Sequence, residues 1–304
     1  SSIRGRKENI LTPLSILLVL ISALIHSSWN FFTKRGNFPV EFFFWVFLWG
    51  VFLYLPFFIG FGIFPSLISK LSWNLLWFIV LSGFFETLYF ICLIEAYRGG
   101  GDLSLVYPIS RSAPLFTQLW AISFIGEALS SKGVFGILLV MLGLYIIPQK
   151  GLHLKPALPY AHGFTARPLL LAFLAAVASS IYSVIDKVGV GLIHPLYYLW
   201  WINLSMTLHT GVYLLLRRKT SFWKPWNESK KEVLFISILQ NAAYFLVLMA
   251  MTMSKVSYVV AFRQAGVLFG ALFGVVFLKE KNGRVRLAGV ILMTLGLILI
   301  GVAQ

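Results

Sequence analysis

Residues 106–116, VYPISRSAPLF, place Arg111 inside an otherwise apolar run. Residues 258–270, YVVAFRQAGVLFG, place Arg263 in the same way. An arginine at the centre of a membrane helix costs about 2.5–3.5 kcal/mol on insertion scales, so each one needs a partner or a water-filled cavity. Two such segments in one chain predict a membrane protein with a polar interior.

The composition of the whole chain supports this prediction. Of the 304 residues, 59% are hydrophobic and 12% are charged, whereas soluble domains carry about 25% charged residues. Apolar runs of bilayer-spanning length, about 17–25 residues, recur from one end of the sequence to the other. We therefore predict an all-α polytopic membrane protein, with its outer surface in contact with the lipid bilayer.

Ten apolar runs can be placed as transmembrane helices, and the first of them is expected to be an uncleaved helix. Most connections are short, so neighbouring helices are expected to pack antiparallel. The longest connection contains several prolines and glycines, which break helices, and is predicted to be a linker. The predicted spans are 11–32, 42–63, 74–96, 105–125, 133–148, 168–186, 195–216, 233–253, 257–277 and 287–302.

The two halves of the sequence resemble each other. Arg111 and Arg263 are 152 residues apart, and GILLVMLGLYII at 136–147 matches GVILMTLGLILI at 289–300 with an offset of 153. A constant offset with such small slips indicates a duplicated five-helix unit. Because five is odd, the second copy enters the membrane from the opposite side, an arrangement common in secondary transporters.

We therefore predict ten transmembrane helices that form two inverted five-helix repeats. The cavity is expected between spans 1, 3 and 4 of one repeat and spans 6, 8 and 9 of the other. The predicted units are a first repeat at 1–150, a linker loop at 151–167 and a second repeat at 168–304.

A known family has a similar pattern of residues. AYRGGGDLSLVYPISRSAPLF at 96–116, followed by Gly126-Glu127, resembles the signature of EamA-type permeases of the drug/metabolite transporter superfamily. The second copy, at 251–280, is similar but lacks the glycine run and the proline. HSSWNFF at 26–32 resembles a pattern in a bacterial subset of that family. The resemblance implies a transporter in a bacterial inner membrane, and it leaves the substrate open among amino acids, amines, drugs, sugars and nucleotide-linked metabolites.

Several other functions are disfavoured by the sequence. The net charge of +15 lies in short loops beside the spans, which is typical of membrane proteins and does not indicate nucleic-acid binding. The single cysteine, Cys92, excludes an intrachain disulfide and a cysteine metal cluster. No phosphate-binding loop or metal-ligand motif is present, so we predict no cofactor, no metal and no ATP hydrolysis by this chain.

Glu86, in the middle of span 3, is the most informative candidate residue. A carboxylate at this depth can bind a cationic substrate, exchange a proton, or stay protonated and form a hydrogen bond. Aromatic side chains near it can hold an ammonium group by cation–π attraction. The predicted substrate-binding residues are Glu86, Trp29, Tyr89, Asn241, Tyr244 and Arg263.

The arginines have two interpretations. Arg111 can act as a structural clamp, paired with Glu95 or with the carbonyls of a broken helix around Pro108 and Pro114. Alternatively, Arg111 and Arg263 can bind an anionic substrate. The residues assigned to proton transfer or to structural polar contacts are His26, Asn30, Glu95, Arg111 and His209.

The function favoured by these residues is secondary transport, by alternating access, of a small polar or amphipathic metabolite such as an amine or amino acid. The alternative is an anionic metabolite, a carboxylate or phosphonate held by Arg111 and Arg263. An intramembrane enzyme is disfavoured because no nucleophile lies beside a base at motif spacing. A scaffold or receptor has no reason to keep charges in the bilayer. Protons or another ion are the expected coupling partner, and both a monomer and a homodimer stay open.

The distribution of Lys and Arg predicts the orientation. If each loop is numbered after the span that precedes it, the odd loops hold 16 of these residues, and the N-terminus and even loops together hold 7. Positive residues concentrate on the cytoplasmic side, so we expect cytoplasmic odd loops and external termini.

Cysteine labelling in intact cells tests this orientation. After Cys92 is replaced by serine, a new cysteine at Trp223 should resist an impermeant thiol reagent, because it lies in an odd loop. A new cysteine after Ala303 should react. The reverse pattern of labelling would show that the termini are cytoplasmic.

Overall fold

The protein is described by a computed structural model that covers residues 12–36, 38–98, 103–147, 166–217, 222–269 and 283–303. Within these ranges the chain forms helices and turns and no strand. The first half contains α1 (Pro13–Gly36), α2 (Val40–Gly60), α3 (Phe64–Ser69), α4 (Trp73–Arg98), α5 (Leu103–Ser110), α6 (Ala113–Ile125) and α7 (Ser131–Ile146). The second half contains α8 (Ala166–Leu192), α9 (Pro195–Arg217), α10 (Lys224–Glu228), α11 (Lys230–Met253), α12 (Val256–Phe262) and α13 (Gly283–Gly301), and residues 265–269 are also helical.

Each of the ten predicted spans coincides with helix in the described residues. The spans are, in order, α1, α2, α4, α5 with α6, α7, α8, α9, α11, α12 with residues 265–269, and α13. The helices α2, α4, α8 and α11 are long and apolar enough to cross a bilayer by themselves. The C-terminal end of predicted span 9 and residues 151–165 of the predicted linker lie outside the described residues. The short helices α3 and α10, in the loops, were not predicted.

The packing of the helices follows a two-fold pattern. Two contacts join a helix to its own repeat mate, namely α7 with α13 and α2 with α9, and a third contact, α6 with α12, joins the two broken spans that are repeat mates. Two further contacts are equivalent by the repeat, because α1 and α4 of the first repeat correspond to α8 and α11 of the second. These contacts are α1 with α11 and α8 with α4. The chain is thus an all-α polytopic membrane protein built from two repeats, as the sequence predicts.

Glycines set the contact between α7 and α13. A Cβ added to Gly136 would lie 2.8 Å from the carbonyl oxygen of Gly296, and one added to Gly289 would lie 2.9 Å from that of Gly143. Residue 136 therefore meets the end of α13 and residue 143 meets its beginning, so these repeat mates run antiparallel. This crossing confirms the inverted relation of the repeats. Small residues are typical where membrane helices approach this closely.

Large apolar side chains cover the outside of the helices. Examples on four different helices are Leu17, Phe84, Leu142 and Leu208, all of which are exposed. An apolar outer surface of this kind is stable in contact with lipid. The polar side chains described below lie inside the bundle.

The glycine contact can be tested by a pair of Gly→Ala substitutions. Gly143→Ala would place a methyl group 2.5 Å from the Gly289 carbonyl oxygen, and we expect it to destabilise the fold by about 1–3 kcal/mol. Gly191→Ala, in α8, meets no atom within 4 Å and serves as the control. Thermal unfolding in detergent should show a lower midpoint for Gly143→Ala alone. Equal midpoints for the two variants would contradict the close crossing.

Candidate functional site

Both membrane-embedded arginines lie at breaks in their helices. Arg111 and Ser112 separate α5 from α6, and Arg263 and Gln264 separate α12 from the helical residues 265–269. A backbone hydrogen bond from residue i+3 to residue i tightens the chain at each break. Non-helical backbone at membrane depth is tolerated where it is buried in protein or lines a cavity. The breaks therefore mark the polar centre of the bundle.

The two repeats form this break with different residues. In the first repeat, Pro114 follows the break, and its ring nitrogen cannot donate a helical hydrogen bond. The second repeat has no proline there, but it has Gly266. A Cβ at Gly266 would lie 3.0 Å from the carbonyl oxygen of Ala23 in α1, so the missing side chain allows α1 to approach. The same geometry thus persists after the sequences have diverged.

Arg111 and Arg263 line one cavity. The wall includes residues of α4, α8 and both broken spans, so both repeats contribute to it. Hydroxyl, amide and guanidinium groups dominate the wall, and an anion or a polar molecule is the kind of ligand that such groups bind. The lining residues are Tyr89, Ser110, Arg111, Ala113, Ser179, Tyr182, Val260, Arg263 and Gln264.

Arg111 contacts His26 on α1, which in turn contacts a second candidate, Trp29. Its Nη1 lies 3.3 Å from Nε2 of His26, and the indole Nε1 of Trp29 donates to Nδ1 of His26 at 3.2 Å. The structure does not bring Glu95 to Arg111. Glu95 instead forms an ion pair with Arg217 at 3.2 Å, near the ends of their helices. The proposed clamp between Arg111 and Glu95 was therefore wrong.

Arg263 is held by aromatic side chains. Its guanidinium carbon lies 5.5 Å from the ring centroid of Tyr244, and Tyr182 shares the cavity wall with it. Arg217–Glu95 is the one ion pair found among the described residues, so Arg263 makes no ion pair with a described carboxylate. A cation over a tyrosine ring is attracted by the negative face of the ring. Arg263 is thus stabilised in place while its charge can still attract an anion.

Asp186 is a buried carboxylate that the sequence interpretation missed. Its side chain is 0% exposed, and it accepts hydrogen bonds from Tyr198 at 2.9 Å, from Ser82 and from Tyr244. These donors come from α9, α4 and α11, so Asp186 on α8 ties four helices together. The available signal was a single carboxylate at the end of the uncharged run 168–185.

Glu86 lies beside Asp186. It is 5% exposed and lies close to Tyr244, whose hydroxyl donates to Asp186. Arg263 is within electrostatic range of both carboxyl groups. We call Glu86, Asp186, Tyr244 and Arg263 the central polar cluster. Glu86 and Asp186 are not among the described residues that line the cavity, which borders the cluster at Arg263.

Other candidates lie away from the cavity. Asn241 accepts from Asn203 at 2.8 Å, and both pack against Gly50, so they join α2, α9 and α11. The Nδ1 atom of His209 lies 2.8 Å from the Ser205 carbonyl oxygen in its own helix. The side chain of Asn30 lies outside the described residues. In the part of the chain that the structure describes, no group of three His, Cys, Asp or Glu residues is placed to bind a metal ion.

Helices arranged in two inverted repeats around broken spans and a polar cavity are typical of membrane transporters. The chain belongs to the EamA-like transporter family, which it matches over residues 13–148 and 166–302. Membership in the drug/metabolite transporter superfamily follows, and the resemblance at 96–116 is confirmed.

Solved structures give the same fold. One crystal structure, described only as that of a protein, has a TM-score of 0.73 and 17% sequence identity, with 94% of this chain and 96% of that chain covered. At this identity the likeness shows the fold alone. A comparison with curated protein sequences gives no match. The chain is therefore a multi-pass membrane transporter, and its substrate has to be inferred from its own residues.

Proposed function

We propose that the protein is a secondary transporter that carries an amino-acid-like zwitterion by alternating access. One observation carries this proposal: Arg263 borders the cavity while it lies within electrostatic range of both Glu86 and Asp186. A small molecule with one carboxylate and one ammonium group complements a site that presents both signs of charge. A molecule with one sign of charge complements only part of it.

The anionic end of the substrate is assigned to the two arginines. The guanidinium group is planar and can donate two parallel hydrogen bonds to a carboxylate. Arg263 has no described carboxylate as an ion-pair partner, and Arg111 lines the same cavity from the other repeat. Because the arginines lie on the two broken spans, a carboxylate between them would contact both repeats. A motion of one repeat against the other would then change the environment of the substrate directly.

The cationic end of the substrate is assigned to Glu86 and Asp186. The hydroxyl of Tyr244 has one proton, which it donates to Asp186. Glu86 and Asp186 are buried beside each other, and two such carboxyl groups hold a shared proton more readily than two negative charges. An arriving ammonium group can replace that proton as the positive charge beside Glu86. We accordingly propose the proton as the coupling ion, moved in exchange for the substrate.

The alternative is an anionic metabolite, a carboxylate or phosphonate. It is favoured by the observation that the arginines, and neither Glu86 nor Asp186, are among the described residues that line the cavity. In this case Glu86 would bind and release a proton during transport and would not contact the substrate. The two proposals differ in whether the transporter needs an ammonium group on its substrate.

The remaining assignments are part of the same proposal. Members of the EamA-like family are transporters, so we infer that the chain is not an enzyme. We propose a bacterial inner membrane as its location, with the odd loops in the cytoplasm and the termini outside. The 16 to 7 distribution of Lys and Arg supports this orientation.

Competition by charge class tests the substrate. Each standard amino acid is assayed for thermal stabilisation of the purified protein, and the best one is compared with its matched amine and acid. For leucine these are 3-methylbutylamine and 4-methylpentanoate, which share its hydrocarbon body. We expect the amino acid to bind at least tenfold more tightly than either analogue. Equal binding of the acid would favour the anionic alternative.

Glu86→Gln makes this test specific to one residue. It keeps the shape and hydrogen bonding of the side chain but removes the countercharge, so binding of the amino acid should fall by at least tenfold, about 1.4 kcal/mol. Binding of the matched acid should not change, and the pH dependence of transport should disappear. Glu95→Gln, at the ion pair with Arg217, is the control and should leave binding unaltered. Unaltered binding and pH dependence in Glu86→Gln would contradict its role.

A further inference from the structure

Gln264 has a buried acceptor without a partner. Its side chain is 5% exposed, and its Oε1 atom makes no hydrogen bond with any described group. The orientation of the amide is set because Nε2 donates to the Val260 carbonyl oxygen at 3.4 Å, a bond that an oxygen could not make. A buried acceptor that loses its water and gains no donor destabilises the protein. Something absent from the chain is therefore expected to donate to Oε1.

The position of this acceptor is informative. Gln264 follows Arg263 at the helix break and lines the cavity with both arginines. Its repeat mate, Ser112, is satisfied within its own turn, because its hydroxyl donates to the Ile109 carbonyl oxygen at 2.7 Å. The open acceptor thus occurs after the arginine of the second repeat and not after that of the first. The two repeats therefore present different chemical groups at equivalent positions after their arginines.

The chemistry of the wall indicates which group fills this position. Arg111 and Arg263 donate hydrogen bonds and cannot accept them, whereas Oε1 of Gln264 can only accept. A ligand that satisfies all three carries an acceptor anion and, close to it, an N–H or O–H donor. In an α-amino acid the carboxylate and the ammonium group are attached to the same carbon, so one molecule supplies both at adjacent positions.

We propose that Gln264 binds the ammonium group of the substrate through Oε1 and makes the transporter select amino acids over the matched acids. This inference rests on the proposed function and assigns a specificity-determining residue to it. Gln264 offers the ammonium a neutral acceptor at the cavity wall, and Glu86 and Asp186 supply negative charge in the adjoining central polar cluster. An acid without the amine leaves Oε1 unpaired, and this penalty produces the selectivity.

The test compares binding of an amino acid and of its des-amino acid to the parent and to Gln264→Met. Methionine has a similar volume but offers no amide. The amino acid should lose about tenfold in affinity, while the matched acid should bind as before or better, so the ratio of the two should collapse. Gln264→Glu keeps an acceptor at this position, so it should still bind the amino acid more tightly than the matched acid. Binding by this variant also shows that the site tolerates a substitution at residue 264. Gln240→Met is the control, because its Oε1 is also buried and unpaired but it does not line the cavity.

The outcomes separate this inference from the function on which it rests. If the parent prefers the amino acid and Gln264→Met keeps that preference, Gln264 is not the selecting residue and the proposed function stands. If Gln240→Met loses the preference as well, the effect is general packing and the inference falls. If the parent itself binds the acid as tightly as the amino acid, both the zwitterion and the role of Gln264 are contradicted.

Discussion

The structure depends on one constraint: a charge placed within the bilayer has to be satisfied inside the protein. The apolar outer surface of this chain offers no partner for a charge, so its polar groups gather at the centre. Two arginines lie at this centre, one from each repeat, because the helix that carries the arginine was duplicated. Each lies where its helix is broken, and the broken ends bring Arg111 and Arg263 to one cavity from opposite repeats. The symmetry of the fold thus places two cations together.

Function is assigned to the positions where the symmetry fails. Glu86 is a carboxylate, but Asn241, its repeat mate, is a packing residue that bonds to Asn203. Similarly, Gln264 keeps an open acceptor where Ser112 is satisfied locally. A perfectly symmetric site would present the same groups to both ends of a ligand. The divergence of the repeats gives the polar centre different groups in its two halves, which is what a molecule with two unlike charged groups requires.

The sequence predicted the parts of this structure that depend on periodicity and local composition. Hydropathy located the ten spans, and the constant offset revealed the two repeats, because both signals extend over many residues. Contacts between distant helices could not be predicted in this way. Glu95 was paired with Arg111 because they lie on adjacent spans, yet Glu95 reaches Arg217 near the ends of their helices. Asp186 was missed because its three hydrogen-bond donors come from three other helices, and no local sequence pattern indicates such contacts.

The central claim is that the buried charges are kept for transport rather than for folding. Counterflow of the preferred amino acid in proteoliposomes, measured with the double variant Glu86→Gln/Arg263→Gln, tests it most directly. Each substitution replaces an ionisable group by a neutral amide that can still form hydrogen bonds. We predict a protein with a thermal midpoint close to that of the parent and no counterflow above that of empty liposomes. Counterflow at the parental rate would contradict the account.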